Sequence, residues 1–135
     1  MRRTLWIVGL VVAALVALVP LAGCTAALHA PTTTPDMSGA RVVAKSGGGD
    51  TWSFRMEVDV DAAKQAGIQD AGVGYTVASV RVDSKTVILR QTANGVEKAS
   101  AQDVIGAAFL NVWFTGAVAE SYPVQATTGT IVILQ

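Results

Sequence analysis

The sequence predicts a mainly β domain, a small curled antiparallel sheet or partly open barrel with one or two short helices, behind a cleaved signal peptide and a flexible tether. Three observations predict it. An uncharged apolar run follows two arginines at the start, a stretch rich in Pro, Thr, Ala and Gly follows that run, and beyond it apolar residues recur with period two between turn residues.

Arg2 and Arg3 precede the apolar run Leu5 to Val19, which Pro20 and small residues close, in the order of an export signal's basic, apolar and cleavage regions. A membrane-spanning helix needs about 20 apolar residues and is usually followed by a basic stop, neither of which this segment has. Leu21-Ala22-Gly23-Cys24 then resembles the lipobox of bacterial lipoproteins at all four positions. That resemblance implies a diacylglyceryl group on the Cys24 sulfur and cleavage just before it. At about 0.8 kcal/mol per buried methylene, two or more acyl chains hold a protein stably on a bilayer where one is marginal. The implied location is the cell envelope, on the outer face of the cytoplasmic membrane or on the outer membrane.

The expected organisation is therefore a lipoprotein signal peptide at residues 1–23, a lipid anchor and flexible tether at 24–49, and a small β-barrel domain at 50–135. Removal of the signal leaves 135 − 23 = 112 residues, enough for one domain, and a net charge of 8 − 10 = −2. That balance and the export signal argue against a nucleic-acid partner, which selects a basic face. Cys24 is the only cysteine, so the domain is expected to fold without a disulfide.

Within the tether, Arg41 to Lys45 reads as one short strand, and Pro31, Pro35 and Gly47 to Gly49 as spacer. Thr51 to Asp61 alternates: Trp52, Phe54, Met56, Val58 and Val60 fall on one side, with Ser53, Arg55, Glu57, Asp59 and Asp61 on the other. This is a half-buried strand. Asp61 is the expected cap of a short helical turn that Gly67 ends. Tyr75 to Asp83 and Thr86 to Gln91 read as two strands of a hairpin turning at Asp83-Ser84-Lys85, with a slip in the alternation at Ala78 and Ser79 that suggests a bulge. Ser100 with Asp103 resembles a capping box opening a helix over Ala101 to Ala107. Ala108 to Gly116 is the next strand, Leu110, Val112 and Phe114 facing one way and Trp113 the other, and Thr127 to Leu134 is the last. Five strands in so short a domain favour a curled or closed sheet, which hides its edges.

Val112 to Leu134, with Trp113, Gly116, Glu120, Ser121, Tyr122, Pro123, Gln125 and Ala126 at the matching positions, resembles the end of the YobA-like domain of unknown function, found in small bacterial secreted proteins and lipoproteins. The likeness extends more loosely to residue 75. It implies an OB-like small barrel and no established activity.

Candidate sites are few. Glu120, Tyr122 and Gln125 bring a carboxylate, a phenol and an amide to one loop and are the first candidates for binding, with Trp113 as a further contact residue. The architectural reading of that loop has Pro123 fixing a turn and Tyr122 plugging the barrel mouth. Trp52, Phe54, Phe109 and Phe114 read as core. The row Glu57, Asp59, Asp61 lies along a strand and does not converge on a cation. His29, the only histidine, falls in the tether, which removes Ser-His and Cys-His catalysis and a zinc site of the usual donors. Ser46 to Asp50, "SGGGD", lacks the Lys-Ser/Thr and the helix of a phosphate-binding loop. The expectation is a membrane-anchored, non-catalytic binding or interaction module without metal or cofactor, its partner an envelope protein, peptide or oligosaccharide. An interference or inhibitor protein acting on a lytic enzyme or phage entry is the alternative, and a small carboxylate-dependent envelope enzyme a third reading.

Overall fold

The computed structural model describes residues 28–134. Seven strands form one sheet: β1 (Met37–Gly48), β2 (Thr51–Val58), β3 (Val77–Val82), β4 (Val87–Thr92), β5 (Gly95–Lys98), β6 (Leu110–Ala119) and β7 (Val124–Ile133). Two short helices, α1 (Val60–Gln65) and α2 (Ala101–Ile105), interrupt them. The order β3-β2-β1-β6-β7 closes on itself through a β3–β7 pairing, so five strands make a barrel of OB-like connectivity.

The closure is parallel. Ala78 to Arg81 of β3 pair with Val124 to Thr127 of β7, and Val87 to Arg90 of β4 pair, also in parallel, with Thr130 to Ile133 further along the same strand. Of the two expected architectures, a curled antiparallel sheet or an OB-like barrel, the barrel is the one formed, and the expected hairpin at Asp83-Ser84-Lys85 is corrected by this pairing. From Ala78 to Val87 the chain advances 87 − 78 = 9 residues while β7 advances 130 − 124 = 6, so three residues are looped out at the turn. Thr86 N–H donates to the Asp83 carbonyl and Lys85 N–H to the Asp83 carboxylate, which closes that loop locally. Two-residue hairpins join β1 to β2, where Gly48↔Thr51 leaves Gly49-Asp50 as the turn, and β4 to β5, where Thr92↔Gly95 leaves Ala93-Asn94.

The core lies inside the barrel. Phe54 and Met56 of β2, Ala78, Val80 and Val82 of β3, Leu110 and Val112 of β6, and Ile131 and Ile133 of β7 are buried together, and α2 adds Val104. Burying a side chain such as Phe54 stabilises by about 1.5–3 kcal/mol. The β2–β3 register runs without a shift from Trp52↔Val82 to Glu57↔Val77, so there is no bulge at Ala78 and Ser79; Ala78 is an ordinary inward residue. Irregularities lie instead in β1, between Val42 and Ala44 against β2 and between Ser38 and Ala40 against β6, and in the pairing of β6 with β7 after Trp113 and after Thr115. Gly39 occupies the second of these with φ +78, and a Cβ there would stand 2.9 Å from that of Ala63 on α1. Only glycine admits both the turn and so close a helix.

Met37 to Gly48, expected as spacer with a five-residue strand inside it, form a full barrel strand, so the barrel begins before residue 50. The preceding residues are also fastened: the Trp113 indole donates to the Thr33 carbonyl at 3.0 Å, and the Asp36 carboxylate accepts the Phe114 N–H at 2.8 Å. The helix α1 begins earlier than predicted. Asp59, not Asp61, is its N-cap, accepting from Ala62 N–H, and Asp61 stands in the first turn. Gly67 follows the helix end with φ 95, as read. The Ser100–Asp103 capping box of α2 is fully formed. The expected signal peptide and Cys24 lie outside the described residues, as does Gln135; among the described residues no helix is long and apolar enough to cross a membrane.

Candidate functional site

Period two along each strand and the lateral register between strands together place polar residues in rows on the barrel's outer face. Ser46 pairs with Ser53, Ser53 with Arg81, and Arg81 with Thr127, so one row crosses β1, β2, β3 and β7. A second row runs beside it: Ala44 with Arg55, Arg55 with Ser79, and Ser79 with Gln125. Small side chains alternate with long ones in the second row, and in the first Arg81 stands among Ser46, Ser53 and Thr127. The short side chains border a groove of about 420 Å³ between β3, β7 and the end of β6. A second hollow of about 340 Å³, walled by Trp52, Gly47 and Thr51, joins it at Ser53 and Arg81.

The charges on this face are one-sided. Lys45, Arg55 and Arg81 line the groove and its extensions, and no carboxylate does. Arg55 makes an exposed 3.4 Å contact with Glu57. Arg81 has no ion pair and no side-chain hydrogen bond among the described residues. An arginine with five unengaged N–H donors, beside hydroxyls that both donate and accept, is equipped to hold a planar anion.

The loop between β6 and β7, Glu120 to Pro123, borders one end of the groove. Gln125 lines the groove, next to Ser79. Glu120 lies outside its lining; its carboxylate accepts the Tyr75 hydroxyl at 3.4 Å. The negative charge of Glu120, together with desolvation, raises the Tyr75 pKa above the ordinary phenol value, because a phenolate there would face a carboxylate. Tyr122 is 84 % exposed, so it does not plug the barrel mouth, and the architectural reading of that side chain is corrected. Trp113 projects opposite the buried Val112 as expected, but it is half-covered by the Thr33 segment and does not join the groove. Of the four candidates the structure thus brings Gln125 into the site and leaves Glu120 and Tyr122 on its bordering loop.

The other predicted features disperse. Glu57 stays on β2 beside Arg55, Asp59 caps α1 and Asp61 enters the helix, so the acidic row is broken. Among the described residues no three His, Cys, Asp or Glu side chains gather as a metal site. Phe54 is fully buried, Trp52 stacks on it with ring centroids 5.6 Å apart, and Phe114 packs on Tyr75 at 5.5 Å. His29 is exposed.

Ser53, Ser79, Arg81 and Thr127 were not candidates from sequence. The alternation did mark Ser53 as outward, but nothing local says that β7 lies beside β3. No family model matches the chain, and neither a curated protein nor a solved structure matches it significantly.

Proposed function

We propose that the chain is an envelope lipoprotein, anchored through lipidated Cys24, whose barrel is a non-catalytic binding module with its ligand seated on the β2–β3–β7 groove. The observation that carries this reading is the unengaged Arg81 in a concave, carboxylate-free face. The anchor rests on the lipobox resemblance, and the YobA-like resemblance is consistent with an OB-like barrel on such an anchor. From Cys24 to the fastened Thr33 there are 33 − 24 = 9 residues, which reach at most about 30–32 Å when fully extended. The module would thus work close to the bilayer.

The test is site-specific photo-cross-linking on intact membranes, with the probe at Ser53 and, as control, at the exposed Gln102 on α2. A discrete adduct from Ser53 alone, abolished by Arg81→Gln, supports the reading. Equal adducts from both positions, or none from either, count against it. Labelling with a fatty-acid analogue, lost in Cys24→Ser, tests the anchor separately.

One observation favours the inhibitor alternative, the projection of Tyr122 from the β6–β7 loop. Under that reading Tyr122→Ala abolishes the adduct formed by a probe at Ser121, whereas Arg81→Gln leaves it intact.

A further inference from the structure

We infer that the ligand of the groove is an acidic oligosaccharide, a glycan bearing carboxylates or phosphates. The inference rests on the binding-module reading and names the chemistry of its ligand. Three features of the face select that class.

The first is charge. Arg81 and Lys45 meet no carboxylate among the described residues and Arg55 meets the exposed Glu57 at 3.4 Å, although the chain carries as many acidic as basic residues. An acidic ligand would give Arg81 a charge-assisted partner, whereas the hydroxyls of a neutral one would accept only weaker hydrogen bonds from the guanidinium. The second is the hydrogen-bonding complement. Ser46, Ser53, Ser79, Thr127 and Gln125 surround the arginines with groups that donate and accept, which match sugar hydroxyls of either polarity. Trp52 walls the hollow beside Arg81, its ring held by the stack on Phe54, and offers a rigid apolar surface of the kind a sugar ring covers.

The third feature separates a glycan from a peptide. β2 is paired with β1 on one side and β3 on the other, and β3 with β2 and β7, over the residues that floor the groove. Their backbone groups are consumed in the ladders. A peptide that binds by strand addition needs a free edge; the β2–β3–β7 floor offers none, and backbone outside the ladders lines the groove at Ala117 and Val118 on the β6 wall. Recognition on the floor therefore passes through side chains, the mode in which an oligosaccharide is held.

The experiment is calorimetric titration of the full chain in detergent with four probes: an oligogalacturonide, its carboxyl-reduced neutral counterpart, a polyglutamate peptide and citrate. The same series is run on Arg81→Gln, an exposed position without contacts to lose, and on Arg81→Lys. The expected result is measurable binding of the oligogalacturonide, on the order of tenfold weaker for the neutral glycan, on the order of tenfold weaker in Arg81→Gln, partly restored in Arg81→Lys and weakened by salt. Equal binding of the acidic and neutral glycans, unaffected by Arg81→Gln, overturns the acidic class while leaving a binding module. Polyglutamate binding as tightly as the oligogalacturonide replaces the glycan with an acidic peptide, and citrate binding as tightly reduces the groove to a small-anion site. Binding of none of the four overturns the inference. A Ser53 photo-adduct in the same preparation of membranes then shows whether the binding reading has failed with it.

Discussion

Replacing Thr128 by valine is expected to stabilise the domain. Thr128 points into the barrel from β7 and is 2 % exposed, and its Oγ1 has no hydrogen-bond partner among the described residues. Its backbone carbonyl is engaged, accepting from the Thr86 hydroxyl at 2.9 Å, so the side chain alone is orphaned. A buried hydroxyl without a partner costs about 1–3 kcal/mol. Valine has nearly the same shape, removes that cost and adds a methyl group whose burial contributes up to about 0.8 kcal/mol. Valine also suits a strand at least as well as threonine. The unfolded chain already shields part of this surface, so the lower part of the range applies, about 1–2 kcal/mol. For a domain of this size that corresponds to a rise in Tm of about 4–10 °C. Thermal unfolding and urea titration of Thr128→Val beside the wild type measure it, the urea midpoint rising with an unchanged slope. A fall in both midpoints would refute the reasoning. It would mean that the hydroxyl is satisfied in solution, by an enclosed water for instance, and that the barrel at this level is not the dry core described.

Two other predictions concern titration. Asp103 has its pKa lowered below the ordinary carboxylate value, first by the Ser100 backbone N–H, then by the Ser100 hydroxyl, with Arg90 adding to it. A depressed folded pKa means a contribution present above the unfolded value, near pH 4, and lost as pH falls through the folded one. Ser100→Ala removes the hydroxyl that accepts the Asp103 N–H, so stability should drop at neutral pH by about 0.5–2 kcal/mol, and the acid-side loss should shrink. Urea midpoints of both proteins from neutral pH down to about pH 3 check this; an unaltered acid profile would refute it. Tyr75 shows the opposite sign. Its raised pKa makes a contribution that is full below the ordinary phenol value, about 10, and lost as pH climbs through the folded value. Glu120→Gln should bring the Tyr75 titration, followed by tyrosinate absorbance, down toward that ordinary value, and no change would show that the two side chains do not meet in solution.

What could be read from the sequence was local. The Ser100–Asp103 box, the stop at Gly67 and the inward run Phe54, Met56 follow from residues a few positions apart, and each appears as read. The first strand was obscured by its own composition. Met37 to Gly48 contains three glycines and two serines, and its buried Ser38 is satisfied only from afar, by the Asp70 carboxylate at 2.9 Å. Such a segment carries little apolar alternation and resembles spacer. The turn at Asp83 misled for a different reason. It is a real turn, but two strands that leave a tight turn need not pair when each finds a better partner, and β7 provides one for both. The Asn94-Gly95 dipeptide was the hairpin signal that applied, and β4 and β5 pair across it.

The groove could not be read in this way, because its rows run across the chain. Ser53, Arg81 and Thr127 touch in register although 81 − 53 = 28 and 127 − 81 = 46 residues separate them. Singly, each is a polar outward residue on a strand, indistinguishable from a solvated face. What marks the site is the lining that surrounds Arg81, which is visible only in the assembled fold. Arg90, on β4, reaches Glu97 at 3.4 Å and Asp103 at 3.1 Å, so it ties the hairpin to α2 and its charge is spent within the protein. Arg81 lies on β3, which like β4 pairs with β7, and across its ladders it faces Ser53 and Thr127 rather than a carboxylate. An exposed ion pair would have contributed little stability, about 0–1 kcal/mol, so folding exerts no pressure to place an acid there and none to keep the acids out. The carboxylate-free lining around Arg81 is therefore neither required nor forbidden by stability, and the cross-linking and titration of Arg81→Gln decide whether its counter-charge arrives with a ligand.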